Sequence, residues 1–114
     1  MSTTDKDHTA RIRALNDNFR VLGEGHGSIL LTQGIQALGE LMVIRIMLAV
    51  REYDGFDQAN DPWNEHDFGS LEISGNRIFF KIDYYDLSVS MGSPDPADPN
   101  VTFRALTIML AEEY

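Results

Sequence analysis

The chain contains no cysteine, which removes disulfide staples, thiol nucleophiles and thiolate metal sites together. Bases are also scarce: nine Lys and Arg stand against eighteen Asp and Glu, a formal charge of -9. A protein that grips phosphates carries a basic stripe, so direct nucleic-acid binding is not expected. Long apolar runs are missing too. The longest, around Leu41–Val50, is broken by Arg45 and falls well short of the about 20 residues a bilayer requires. No basic-then-apolar signal opens the chain, so no membrane association is expected, and the lack of cysteine fits a reducing cytoplasm. No internal repeat or phosphate loop is present; Gly23, Gly25 and Gly27 follow a helix and lead into a strand, the reverse of a dinucleotide fingerprint.

What is present is clearest between Glu65 and Asp86. Two β-like runs, Asp67–Ile73 and Ile78–Tyr85, flank Ser74-Gly75-Asn76-Arg77. Gly75-Asn76 tolerates the positive φ of a two-residue hairpin loop, which pairs Ile73 with Ile78, Leu71 with Phe80, Gly69 with Ile82 and Asp67 with Tyr84 on a core face. Phe68, Ser70, Glu72, Phe79, Lys81, Asp83 and Tyr85 then share the second face, with Glu72 and Lys81 as a cross-strand pair.

Elsewhere, a hydroxyl cap at Thr4 with Asp7 three residues on, followed by Ile12, Leu15 and Phe19, predicts a helix over Asp5–Arg20. Ser28–Thr32 reads as a short strand. Glu40–Glu52 reads as a second helix, apolar nearly all round and therefore central, with Leu41, Ile44 and Leu48 along one side. Tyr53–Asn64 reads as an ordered loop and Leu87–Met91 as a further short strand. Asp98 and Pro99 suit a helix start, so Val101–Glu113 is expected to be helical, with Leu106, Met109 and Leu110 facing the core. The 114 residues make one domain, 1–114, of α+β class: an antiparallel sheet of three or four strands with three helices, in the order α-β-α-β-β-(β)-α.

Five blocks, LNDNFR (Leu15–Arg20), NDPWNEHDFGS (Asn60–Ser70), KIDYYD (Lys81–Asp86), SPDPADP (Ser93–Pro99) and TFRALTIMLAEEY (Thr102–Tyr114), together resemble a bacterial family catalogued as domain of unknown function 3768. Its members are small and acidic, and are frequent on plasmids of alphaproteobacteria. The resemblance implies a role in conflict over mobile DNA and brings no catalytic residues to carry over.

Charge is unevenly placed. Residues 1–52 hold six acids and six bases, whereas residues 53–114 hold twelve acids and only Arg77, Lys81 and Arg104, hence the whole -9. Displayed together, Asp54, Asp57, Asp61, Glu65, Asp95 and Asp98 would offer a basic protein the field it normally meets on DNA. Phe68, Phe79 and Tyr85 would add aromatic anchors. The expected function is therefore a non-enzymatic acidic protein that binds another protein. A DNA-mimic-like inhibitor of a nucleic-acid-handling defence system, of anti-CRISPR or anti-restriction type, fits that description. The alternative is a small hydrolase-like or metal-assisted enzyme centred on His66, Asp67 and Asp83, with His66 as general base and Lys81 and Tyr85 as donors. Against it, His66 also suits a structural role, hydrogen-bonding loop backbone. Asp54, Asp57, Asp61, Glu65 and Asp67 lack the ligand spacing and central Gly of a calcium-binding hand, and neither a metal nor a cofactor is expected.

Overall fold

The computed structural model describes residues 3–114, with side chains from residue 5 onward, so the expected Thr4 hydroxyl cap lies outside what is described. Its elements are α1 (Thr3–Leu22), β1 (Gly27–Leu31), a one-turn α2 (Gln33–Gln36), α3 (Glu40–Glu52), β2 (Phe68–Ile73), β3 (Asn76–Tyr85), β4 (Phe103–Leu110) and a closing 3-10 turn (Ala111–Glu113). The fold is α+β, as expected. The sheet is mixed, in the order β1-β4-β3-β2, with β1 parallel to β4 and the other neighbours antiparallel.

The expected C-terminal helix is instead β4. Leu106, Met109 and Leu110 fit a helical stripe, but β4 lies between two strands and is covered on both faces, and such a strand reads as a continuous apolar run. Leu106 and Ile108 are buried on the core face opposite Ile82 and Phe80, while Ala105 and Met109 are buried on the other. Asp98 does not cap a helix; its carboxylate accepts the Asn100 N–H within a turn. The Leu87–Met91 strand is likewise absent. Asp86 gathers the Ser90 N–H and the Ser88 hydroxyl into a tight turn in which Val89 takes φ 57°, and only Tyr85 and Gly92 form a bridge.

The hairpin loop is Ser74-Gly75, at φ 50° and 82°, rather than Gly75-Asn76. Ile73 therefore pairs with Asn76, Leu71 with Ile78 and Gly69 with Phe80. This shift moves the pairing sum by two residues, an even number, so every side chain keeps its face. Partners do change: Glu72 reaches Arg77 at 3.4 Å, and Lys81 reaches Asp83 at 3.1 Å. Gly69 is required where it stands, because a Cβ there would run into the Phe80 ring.

The core lies between the sheet and the two long helices. Phe19 from α1 and Ile46 and Val50 from α3 pack on Ile78, Phe80, Ile82, Leu106 and Ile108, with Ile35 of α2 closing one end. Since Phe80 is fully buried and Phe79 lies on the half-covered face, Phe80→Ala should cost roughly 3–5 kcal/mol and Phe79→Ala less than half of that. Urea unfolding of the two variants checks the difference, and equal losses would contradict the face assignment.

Candidate functional site

The α1 stripe that meets the core is not purely apolar: Ile12, Asn16, Phe19 and Arg20 are all buried. Asn16 and Arg20 each organise one side of a shallow surface region built by the 53–67 loop. Asn16 Nδ2 donates to the Glu65 carbonyl at 2.9 Å and to the Tyr84 hydroxyl at 2.8 Å, and its Oδ1 accepts from Arg104 Nε at 2.6 Å. Tyr84 in turn donates to Glu65 Oε1 at 2.8 Å. Desolvation pushes the Tyr84 phenol far up, and desolvation also draws the Arg104 guanidinium down. Arg104 keeps company with the Tyr84 ring, 5.3 Å away, and donates to the Pro96 carbonyl.

Arg20 donates to the Val50 and Arg51 carbonyls in the last turn of α3, where a helix carries its negative dipole end. Its guanidinium lies 5.2 Å from the Phe56 ring and 5.8 Å from the Phe80 ring. Its Nε is the one buried side-chain donor without a hydrogen-bond partner among the described residues. His66 stacks on Phe56, with ring centroids 3.9 Å apart. Its Nδ1 is hydrogen-bonded to Asp17 at 2.9 Å, and Nε2 stands 3.9 Å from Asp61. His66 lines two small clefts with Asp17, Arg20, Asp54, Phe56, Asp57 and Asp61.

Asp67 and Asp83, the other members of the enzyme alternative, line a different cleft, so its three residues are not gathered at one centre. This cleft, of about 360 Å³, is bounded by Trp63, Phe68 and Tyr114 with Asp67, Lys81 and Asp83. Phe68, Phe79 and Tyr114 touch edge-on or tilted, at 5.2–5.9 Å between ring centroids, on the sheet face that carries no long helix. Trp63 and Tyr114 are 75% and 76% exposed. Tyr85 keeps the expected sheet face, opposite Phe103 on β4, but does not line this cleft.

A family model described as a protein of unknown function (DUF3768) matches residues 31–113. The chain belongs to the DUF3768 family. The matched residues include the aromatic cleft except Tyr114, together with α3, Tyr84 and Arg104, while α1 with Asn16 and Arg20 precedes them. No curated protein and no solved structure matches the chain.

In this DUF3768 protein the loop carboxylates serve the backbone. Asp61 is only 5% exposed and accepts from the Glu65 and His66 N–H groups. Asp57 accepts from Ala59 and Asn60, Asp95 from Ala97 and His8, and Glu65 from Tyr84. Asp54 and Asp57 are exposed, whereas Asp95 and Asp98 are partly covered. The polar knot of Asn16, Tyr84 and Arg104 was missed in the sequence. Its one signal was Asn16 and Arg20 standing four residues apart on the stripe of Ile12 and Phe19.

Asp67 is a partly buried carboxylate whose backbone hydrogen bond offsets only part of its burial. Burial chiefly, with Glu65, Asp61 and Asp83 nearby, raises its pKa above the ordinary 3.8. The folded state thus holds this proton more tightly than the unfolded state, and the stabilisation present below about pH 4 is lost as pH rises through the raised value. Asp67→Asn should therefore melt above the parent at pH 7, with the gap closing near pH 3. Thermal melts at the two pH values check this, and a gap of the same size at both would contradict it.

Proposed function

We propose that this DUF3768 protein is a non-enzymatic binding protein of the cytoplasm that takes a basic, nucleic-acid-handling protein as its partner. In this reading it acts as an inhibitor of anti-CRISPR or anti-restriction type. It contacts neither nucleic acid nor membrane directly.

One observation carries the reading: exposed Trp63 and Tyr114 stand with Phe68 beside Asp67 and the Lys81–Asp83 ion pair in a single cleft. Aromatic faces attract cations through their quadrupole, and carboxylates add charge-assisted hydrogen bonds. A Lys or Arg of a partner meets both requirements there. Exposed rings rimmed by charge are also the composition of interface hot spots. The -9 of residues 53–114 supplies long-range steering toward such a partner. Asp57, Asp95 and Asp98 are pinned by backbone N–H groups, which holds their positions while leaving their net charge in place.

The test is affinity capture of partners from a bacterial lysate with the parent and with Trp63→Ala, followed by kinetics on the partner obtained. Association should slow by at least tenfold between about 0.1 M and 1 M salt, as screening tightens from about 10 to 3 Å. Asp54→Asn with Asp57→Asn should lower the on-rate, and Trp63→Ala should raise the off-rate. A partner indifferent to salt and to all three changes would end this reading. A hydrolytic activity lost in His66→Asn with the fold intact would put the enzyme in its place.

A further inference from the structure

α3, expected to lie centrally because it is apolar nearly all round, is instead covered on one side only. Ile46 and Val50 are buried, and Met42, Val43 and Met47 pack against the core. Leu41, Ile44 and Leu48 are 80%, 54% and 49% exposed. Spacings of three and four residues place these three on a single stripe. At the stripe's N-terminal end, Leu31, Val43 and Ile44 line an apolar groove of about 450 Å³, with Gln36 and Glu40 at its rim. Ile29 of β1 is also exposed, and the outer edge of β1 has no strand partner among the described residues. A contiguous apolar surface of this kind on a soluble domain marks an interface.

Charge selects the occupant. All of the -9 lies in residues 53–114, and residues 1–52, which contain the stripe, sum to zero. A basic partner is drawn to the acidic part. Another copy of the same acidic chain meets less repulsion on α3 than on the acidic loops. Within α3 itself, Glu40 and Glu52 balance Arg45 and Arg51. A two-fold contact also has to be self-complementary. The Leu41, Ile44, Leu48 spacing suits this: two antiparallel α3 helices set Leu41 of one copy against Leu48 of the other, with both Ile44 side chains near the axis.

We propose that the exposed stripe of α3 is the contact of a symmetric homodimer. Sedimentation velocity across a dilution series should show a monomer–dimer equilibrium for the parent. Leu41→Glu with Leu48→Glu should be monomeric throughout, with unchanged far-ultraviolet circular dichroism, because both positions are solvent-exposed. Trp63→Ala, in the separate aromatic cleft, should dimerise like the parent. The chain has no cysteine, so Ile44→Cys carries a single thiol. Mild oxidation should link it into a covalent dimer, and adding Leu48→Glu should suppress that link. A parent that stays monomeric over its soluble range, or a dimer that survives Leu41→Glu with Leu48→Glu, would overturn the proposal. So would a monomeric parent that uses the stripe to hold a different protein.

Discussion

The structure depends on a buried guanidinium. Arg104 sits on the central strand with almost no exposure, and a charge in that position must be surrounded by acceptors or the fold loses several kcal/mol. Its acceptors come from separate parts of the chain: Asn16 on α1 and the Pro96 carbonyl in the connector. The Tyr84 ring on β3 covers it, and the Tyr84 hydroxyl passes the polarity on to Glu65. Satisfying one side chain thereby docks α1 on the sheet, ties down the 93–99 connector and anchors the loop that precedes β2. Asp61 extends the same logic by taking the Glu65 and His66 N–H groups. Asn64 and His66 hold φ near 60°, a conformation that costs about 1–3 kcal/mol for a non-glycine residue and persists where the surroundings over-determine it.

Legibility in the sequence followed the number of faces an element buries. α3 was readable to the residue at both ends, since Glu40 and Glu52 bound an apolar run of helical length. The β2–β3 hairpin was readable in its faces but not its loop. Ser74 and Asn76 are both plausible neighbours for Gly75 at positive φ, and the alternation is unchanged when pairing moves by two. β4 was misread because a strand buried on both faces has no alternation to display, and its Leu and Met spacing happened to match a helical turn. The parallel β1–β4 pair could not be inferred without β4. Around the candidate site, the aromatic residues were legible as second-face positions, whereas Tyr114 was missed because its approach to Phe68 and Phe79 depends on the closing turn.

His66 shows how residue type alone misleads. A His within a few residues of several acids invites a catalytic reading, yet the nearest carboxylate comes from α1, forty-nine positions away. Asp17 and the Phe56 ring fix the imidazole between loop and helix, and the Arg20 guanidinium lies 5.2 Å from the same Phe56 ring. The group works as a clasp between α1 and the 53–67 loop. That clasp matters to the surface, because the same loop carries Trp63.

The carboxylate surplus is compatible with a stable fold because much of it is consumed in local structure. Asp57, Asp86, Asp95 and Asp98 each accept backbone N–H groups one turn or less away, and such bonds lower the Asp86 and Asp95 pKa values, with the His8 contact the largest cause at Asp95. A carboxylate fixed in this way cannot swing away from its neighbours. For the partner proposed above, that is an advantage over a flexible acidic tail: fixed carboxylates lose no side-chain entropy on binding and keep their mutual spacing, as phosphates on a duplex do. Turn chemistry and display would then be one property of the loops rather than two. The aliphatic stripe of α3, in the neutral part of the chain, leaves that surface free.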